Sequence, residues 1–225
     1  MKFTNTEVFN FDGAFRGMRN PMNSWDKSDS RLNIADRFIM GENDTKLAQK
    51  LILAGTEHCK FMRQIMLSVD ITAPMYWWSE FDTYKVGTTA NSTSKMHKLS
   101  NTPITIDCFE IDDYDNNLGN YFDCTWNAEG RDGGYLAEDV GFIIDLLENL
   151  RQTYLETKDI RYWKELLRWL PNSWLQTRTI TMNYENVRNM YWHRKNHKLN
   201  EWSKSFIEWV ESLPYAKELI MLDTK

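Results

Sequence analysis

The stretch FMRQIMLSVDITAP, residues 61–74, constrains this chain more than any other. It is rich in β-branched residues and alternates, so that Ile65, Leu67, Val69 and Ile71 fall on one side of an extended backbone. Successive side chains of a strand point to opposite faces, and the spacing therefore predicts a strand with one apolar face, ending at Pro74. The period then changes. In MYWWSEFDTYKV, Trp77 stands four residues before Phe81 and seven before Tyr84, a helical spacing, and Gly87 stops it. The segment that follows, within TYKVGTTANSTSKMH at 83–97, is small, hydroxyl-rich and basic. It reads either as a surface loop or as a pocket for an anion, built from hydroxyls and backbone N–H groups with Lys85, Lys95 and His97 supplying charge.

Other elements follow from the same periodicities. Residues 1–31 show no clear period and read as a short strand and a loop. In DTKLAQKLILAG, Asp44 is placed to cap a helix whose apolar face is Leu47, Leu51 and Ile52, with Gly55 at its end. A helical stripe runs through Val140, Ile143, Ile144, Leu147, Leu150 and Tyr154, and a second through Ile160, Trp163, Leu166, Leu167 and Leu170, stopped by Pro171. WLQTRTITMNY alternates as a strand, and VRNMYWHRKNHKL and NEWSKSFIEWVESL are both helical. Tyr76, Trp77 and Trp78 sit at a spacing typical of core, stacking on a flavin or a base being the other reading.

Composition bounds the function. A chain of 225 residues and 26.8 kDa suits a single domain, 1–225. Its formal charge of −5 argues against a nucleic-acid binder, which needs a basic excess to neutralise phosphates. Cys59, Cys108 and Cys124 show no metal-ligand spacing and suit reduced thiols in the cytoplasm. No apolar run reaches membrane-spanning length, and the first residues lack a signal-peptide core. The segment 104–134 reads mostly as loop. Within it Asp113, Asp115 and Asn117 have part of a calcium-loop spacing, but the glycine comes one place late and Cys124 stands where the closing glutamate belongs. EGRDGG at 129–134 lacks the lysine of a phosphate loop and reads as a turn, and His58 reads as structural. No metal is expected.

The order of elements resembles the flavin-dependent thymidylate synthase family across residues 55–215. That family has an apolar strand ending in Ala-Pro, a helix, and then R-H-R followed after seven residues by Ser. Here the strand ends in VDITAP, and the loop carries T-x-x-x-N-S-x-S-K-M-H. Downstream, the family has an L-P turn, a strand, N-x-R opening a helix, and a Q-W-E element. Leu170-Pro171, Asn186-Val187-Arg188 and Asn200-Glu201-Trp202 stand in those places. Counted from Ala73-Pro74, R-H-R falls on Thr83, Tyr84 and Lys85, so that one cation is kept and the imidazole becomes a phenol. With a one-residue insertion the following Asn and Ser align with Asn91 and Ser94. The family's S-x-R-Y lands on Ser94, Lys95, Met96 and His97, where no arginine matches and Lys95 or His97 carries the charge. The pyrimidine-facing arginine has its counterpart among Arg194, Lys195, His197 and Lys198.

The resemblance implies an α/β (α+β) fold in which helices flank an antiparallel sheet, and a homo-oligomer, a tetramer in the family. It implies FAD bound by Thr83, Tyr84, Lys85 and Asn91, and a deoxyuridine monophosphate-like nucleotide bound by Thr88, Ser92, Lys95, His97, Arg188 and Lys198. Ser94 and Arg194 take the catalytic places. NADPH and methylenetetrahydrofolate are the implied co-substrates of a methyl transfer that makes thymidylate. The altered R-H-R positions admit two further readings: a nucleotide-binding homologue with lost or changed activity, and a structural oligomer.

Overall fold

A computed structural model describes residues 1–112 and 135–223, apart from the side chains of Met96, His97 and 135–139. The motifs read in 113–134 lie outside the described residues. In chain order the elements are β1 (Lys2–Phe9), α1 (Phe11–Arg19), the short pair β2 (Arg31–Leu32) and β3 (Phe38–Ile39), α2 (Glu42–Leu53), β4 (Met66–Pro74), α3 (Met75–Phe81), β5 (Thr89–Ser92) and α4 (Lys95–Asn101). There follow α5 (Tyr135–Thr157), α6 (Ile160–Trp169), β6 (Leu175–Asn183), α7 (Tyr184–Arg194), a π-helix over Glu201–Phe206, α8 (Ile207–Glu211) and α9 (Ala216–Leu219). They form two compact units. The first is Met1–Thr72, Ser79–Asn91 and Thr177–Lys225; the second is Ala73–Trp78 and Ser92–Gln176.

The principal sheet has the order β1-β4-β6-β5. β1 runs antiparallel to β4, from Lys2 opposite Thr72 to Phe9 opposite Met66, with a bulge between Thr4 and Glu7 where Asn5 takes φ 52°. Between β4 and β6 the hydroxyls of Thr72 and Thr177 lie 2.8 Å apart, and Thr179 donates to Asp70 at 2.6 Å. One number rises as the other falls, so this pair is antiparallel too. The alternation in β4 is borne out: Ile65, Leu67, Val69 and Ile71 are buried while Ser68, Asp70 and Thr72 line the other face. Asp70 ties three strands, because Asn5 of β1 also donates to it at 2.8 Å.

Two local readings are corrected. Residues 11–19 form a helix rather than a loop. Phe11, Ala14, Phe15 and Met18 are its buried face, and Gly13, Gly17 and the left-handed Asn10 at its entry obscure the period. Asp44 is no cap. It lies inside α2, fully buried, where Arg19 donates to it at 2.6 Å, the Ser28 hydroxyl at 2.7 Å and the Ser30 N–H at 3.0 Å. The capping carboxylate is Asp29, which accepts from the N–H groups of Asn43 (2.8 Å) and Asp44 (3.0 Å). Burial pushes the Asp44 carboxyl up, but bonds from Ser30, Ser28 and Arg19 outweigh it and hold it below the ordinary 3.8.

The second unit has its own core: Leu99, Ile104, Phe109, Leu147, Trp163, Leu166 and Trp174. α5 and α6 pack on each other here, and Asp159 caps α6 by accepting from the Arg161 N–H at 2.9 Å. Trp78, fully buried, donates its indole N–H to the Gln176 carbonyl at 3.0 Å, and Trp77 beside it is equally buried, so both are core.

Candidate functional site

The end of α3, the turn after it, the C-terminus of α7 and the π-helix all contribute residues from the first unit. α3 puts Glu80 in its last turn. Thr83 closes the helix by donating its hydroxyl to the Glu80 carbonyl at 2.7 Å, which commits that hydroxyl. The Tyr84 N–H bonds the Phe81 carbonyl at 2.9 Å. Arg194 is the last residue of α7, where a cation suits the helix dipole. Its Nε donates to the Tyr84 hydroxyl at 3.0 Å and its Nη1 to Glu80 Oε2 at 2.7 Å. The guanidinium carbon sits 4.7 Å from the centre of the Trp202 ring and 5.5 Å from that of Tyr84. Trp202, fully buried, belongs to the π-helix, a rare conformation frequent at functional sites.

His197 completes the group. Its Nδ1 accepts from the Leu199 N–H at 3.2 Å, so the neutral ring carries its proton on Nε2, which faces Glu80 Oε2 at 3.5 Å. Glu80 cancels the charge of Arg194. Because the Tyr84 hydroxyl accepts from a guanidinium, its own proton is left to donate. The group therefore offers a polarised phenol, an imidazole N–H and a carboxylate–guanidinium pair beside buried aromatic surface.

The loop after Tyr84 is fastened to the start of α7. Asn183 caps that helix by accepting from the Asn186 N–H at 3.0 Å. Asn186 donates through Nδ2 to the Val86 carbonyl at 2.6 Å and to the Thr88 hydroxyl at 3.1 Å. Between them Gly87 takes φ +70°, and a Cβ there would stand 2.8 Å from Asn183 Nδ2. Lys85 projects from this loop, exposed, and forms no ion pair among the described residues.

The residues expected from sequence are distributed as follows. Thr83, Tyr84, Lys85, Thr88, Asn91, Arg188, Arg194 and Lys198 belong to the first unit, and Ser92, Ser94, Lys95 and His97 to the second. Tyr84 and Arg194 meet directly. Arg188 is buried over Trp192 and donates to the Ile220 carbonyl, an internal partner, and burial lowers its pKa. Lys198 is exposed, and Lys195 places its ammonium 4.1 Å over the Trp192 ring. Asn91 and Ser92 are exposed in β5; Ser94 immediately precedes α4, and Lys95 opens it. His97 lies in that helix, its side chain outside the described residues. Sequence reasoning missed Glu80 and Asn183, and placed Asn186 in a motif without its role. Glu80 stands four residues before Tyr84 and Asn186 opens the N-x-R motif, but neither spacing reveals its partner. Among the described residues no group of three His, Cys, Asp or Glu is arranged to hold a metal.

The sequence matches no protein-family model, and no curated protein is detectably similar to it in sequence. Solved structures are similar in fold. A flavin-dependent thymidylate synthase (ThyX) from Helicobacter pylori, complexed with FAD and dUMP, superposes with a TM-score of 0.65 at 16% identity, over 98% of each chain. A second structure of the Helicobacter pylori enzyme with FAD and dUMP, at 2.31 Å, gives the same score and identity over 98% of this chain and 97% of that one. The fold is thus that of the flavin-dependent thymidylate synthases.

Proposed function

We propose that this chain, built on the fold of the flavin-dependent thymidylate synthases, binds FAD and a deoxyuridine monophosphate-like nucleotide. One observation carries the reading. Tyr84 and Arg194, from the two separate regions that resemble that family, are joined in one hydrogen-bonded group. The solved structures of similar fold are complexed with FAD and dUMP, which supports the same pair of ligands here. A flavin bound here supplies hydride transfer, while the protein binds, orients and sets charge. The residues suit an anionic, ring-bearing cofactor sparingly. Lys85 offers an ammonium with no ion-pair partner among the described residues, held on a loop that Asn186 fixes, and Tyr84 offers a phenol where the family has an imidazole.

A changed reaction is the second reading, favoured by Glu80. A carboxylate paired to Arg194 at 2.7 Å cancels the charge of one of the four candidates for the pyrimidine-facing place. Calorimetric titration separates binding from its absence. FAD should bind the parent protein, and Lys85→Ala should weaken it by about tenfold, the worth of one charged hydrogen bond. No heat with either FAD or dUMP ends the reading. Thymidylate formation from dUMP, NADPH and methylenetetrahydrofolate then distinguishes a synthase from a binding homologue.

A further inference from the structure

We propose that Glu80 is a specificity-determining residue: it occupies Arg194 as an internal anion, and a phosphate-bearing ligand gains the guanidinium only by displacing it. This rests on the nucleotide-binding reading above and deepens it, taking Arg194 as a phosphate contact and leaving the pyrimidine-facing place to Lys195, His197 or Lys198. Three features of the group point to displacement.

The first is that the Glu80–Arg194 contact uses only one guanidinium nitrogen. Nη1 meets Oε2 at 2.7 Å, Nε is taken by Tyr84, and Nη2 makes no hydrogen bond among the described residues. A guanidinium presents paired N–H groups that match the two oxygens of a phosphate or carboxylate, so a single-point contact leaves half of that match unused. The second is that Arg194 stays positioned when Glu80 leaves. The Tyr84 hydroxyl and the Trp202 face hold it independently of the carboxylate. The third is that Glu80 has an alternative partner. His197 Nε2, which bears the ring proton, already lies 3.5 Å from the same Oε2, and a small rotation of the carboxylate converts that approach into a hydrogen bond. Glu80 is also the more accessible partner, its side chain 34% exposed against 16% for Arg194.

The consequence is selectivity by competition. A weak or singly charged anion does not overcome the internal carboxylate, whereas a phosphate monoester brings more charge and a two-pronged fit. Glu80→Gln keeps the shape and an accepting oxygen while removing the charge. Binding of dUMP, deoxyuridine and inorganic phosphate is measured by calorimetry for the parent, Glu80→Gln, the double variant Glu80→Gln with Arg194→Ala, and Asp82→Asn. The last is a control for charge alone, since Asp82 also pairs with an arginine, Arg178, at 2.7 Å. Circular dichroism confirms that each variant is folded.

Glu80→Gln should bind dUMP and inorganic phosphate about tenfold more tightly than the parent, the scale of one charged hydrogen bond released from competition. Deoxyuridine binding should not change, the gain should vanish in the double variant, and Asp82→Asn should reproduce little of it. Equal dUMP affinity in parent and Glu80→Gln overturns the role of Glu80 and leaves nucleotide binding standing. A gain of the same size for deoxyuridine, or in Asp82→Asn, also overturns it. A gain for inorganic phosphate, with no variant binding dUMP, upholds Glu80 and removes the nucleotide reading. Silence towards dUMP and phosphate in every variant removes both.

Discussion

Glu148 shows how one side chain in this protein is set by its partners. Arg151, itself buried, donates to it through Nε at 2.8 Å and Nη2 at 2.5 Å; the Ile104 N–H and the Gln152 amide each add a bond at 2.8 Å. The Arg151 bond is the main cause that lowers the carboxyl from its ordinary 4.5 to about 2, against a smaller upward push from burial. The folded value lies below the unfolded one, so the stabilisation is fully present above about pH 4.5 and is lost as pH falls towards 2. A shift of that size corresponds to about 3 kcal/mol. Urea denaturation at pH 6 and pH 3 should show the loss. Glu148→Gln should be less stable at pH 6, where it leaves Arg151 without its anion, and should lose less on acidification. An unchanged pH slope in the variant assigns the acid sensitivity elsewhere. Neither partner of such a pair stands out in sequence. Glu148 and Arg151 are three apart on a helix, which allows contact, but only the fold brings the Ile104 N–H and buries the arginine.

At the scale of elements, the loop between α3 and β5 is held by the start of α7. Asn183 and Asn186 act together: one caps the helix and the other bonds Val86 and Thr88. Gly87 fits beneath them because it has no Cβ and tolerates φ +70°. Gly55 also takes a left-handed φ, +102°, but meets nothing within 4 Å, so the two glycines differ in what they permit. Gly87→Ala should cost about 1–2 kcal/mol from backbone conformation alone. It should also speed amide exchange at Thr88 as Asn183 and Asn186 are pushed aside, whereas retained protection there would mean that the loop accommodates a Cβ. The sequence marks Gly87 as the stop of a helix that includes Tyr84, but α3 ends at Phe81, where the Thr83 hydroxyl bonds the Glu80 carbonyl, and Gly87 lies in the turn beyond. The asparagines that require a glycine are about a hundred residues away in the chain, beyond the reach of any local pattern.

At the scale of the molecule, homo-oligomer formation is expected from the resemblance and from the abundance of tryptophan. Folding uses most of that tryptophan internally: Trp163, Trp174, Trp202 and Trp209 are buried, and Trp169 remains 63% exposed. Phe142 at 70% and Ile160 at 54% are exposed in the same unit. Scattered apolar residues are normal on a surface, so these alone do not establish an interface. Light scattering should nevertheless give a mass that is a multiple of 26.8 kDa, and a single-chain mass across concentrations would refute the expectation.

Sequence alone determined the elements whose cause is local. β4, α3 and β6 were legible because alternation and helical spacing record which face is buried, and Pro74 marks the end of β4. The order of those elements carried the family resemblance, and with it the fold. Tertiary structure decided the rest, because it depends on which distant groups share a small volume. Arg194 takes a catalytic place by resemblance, but only the fold shows that Glu80 neutralises it and that Tyr84 and Trp202 position it. Arg188 is read as a ligand contact, and only the fold gives its Nη1 the Ile220 carbonyl as a partner. A buried or half-buried charge needs a partner, and periodicity says where a residue faces but never whom it meets.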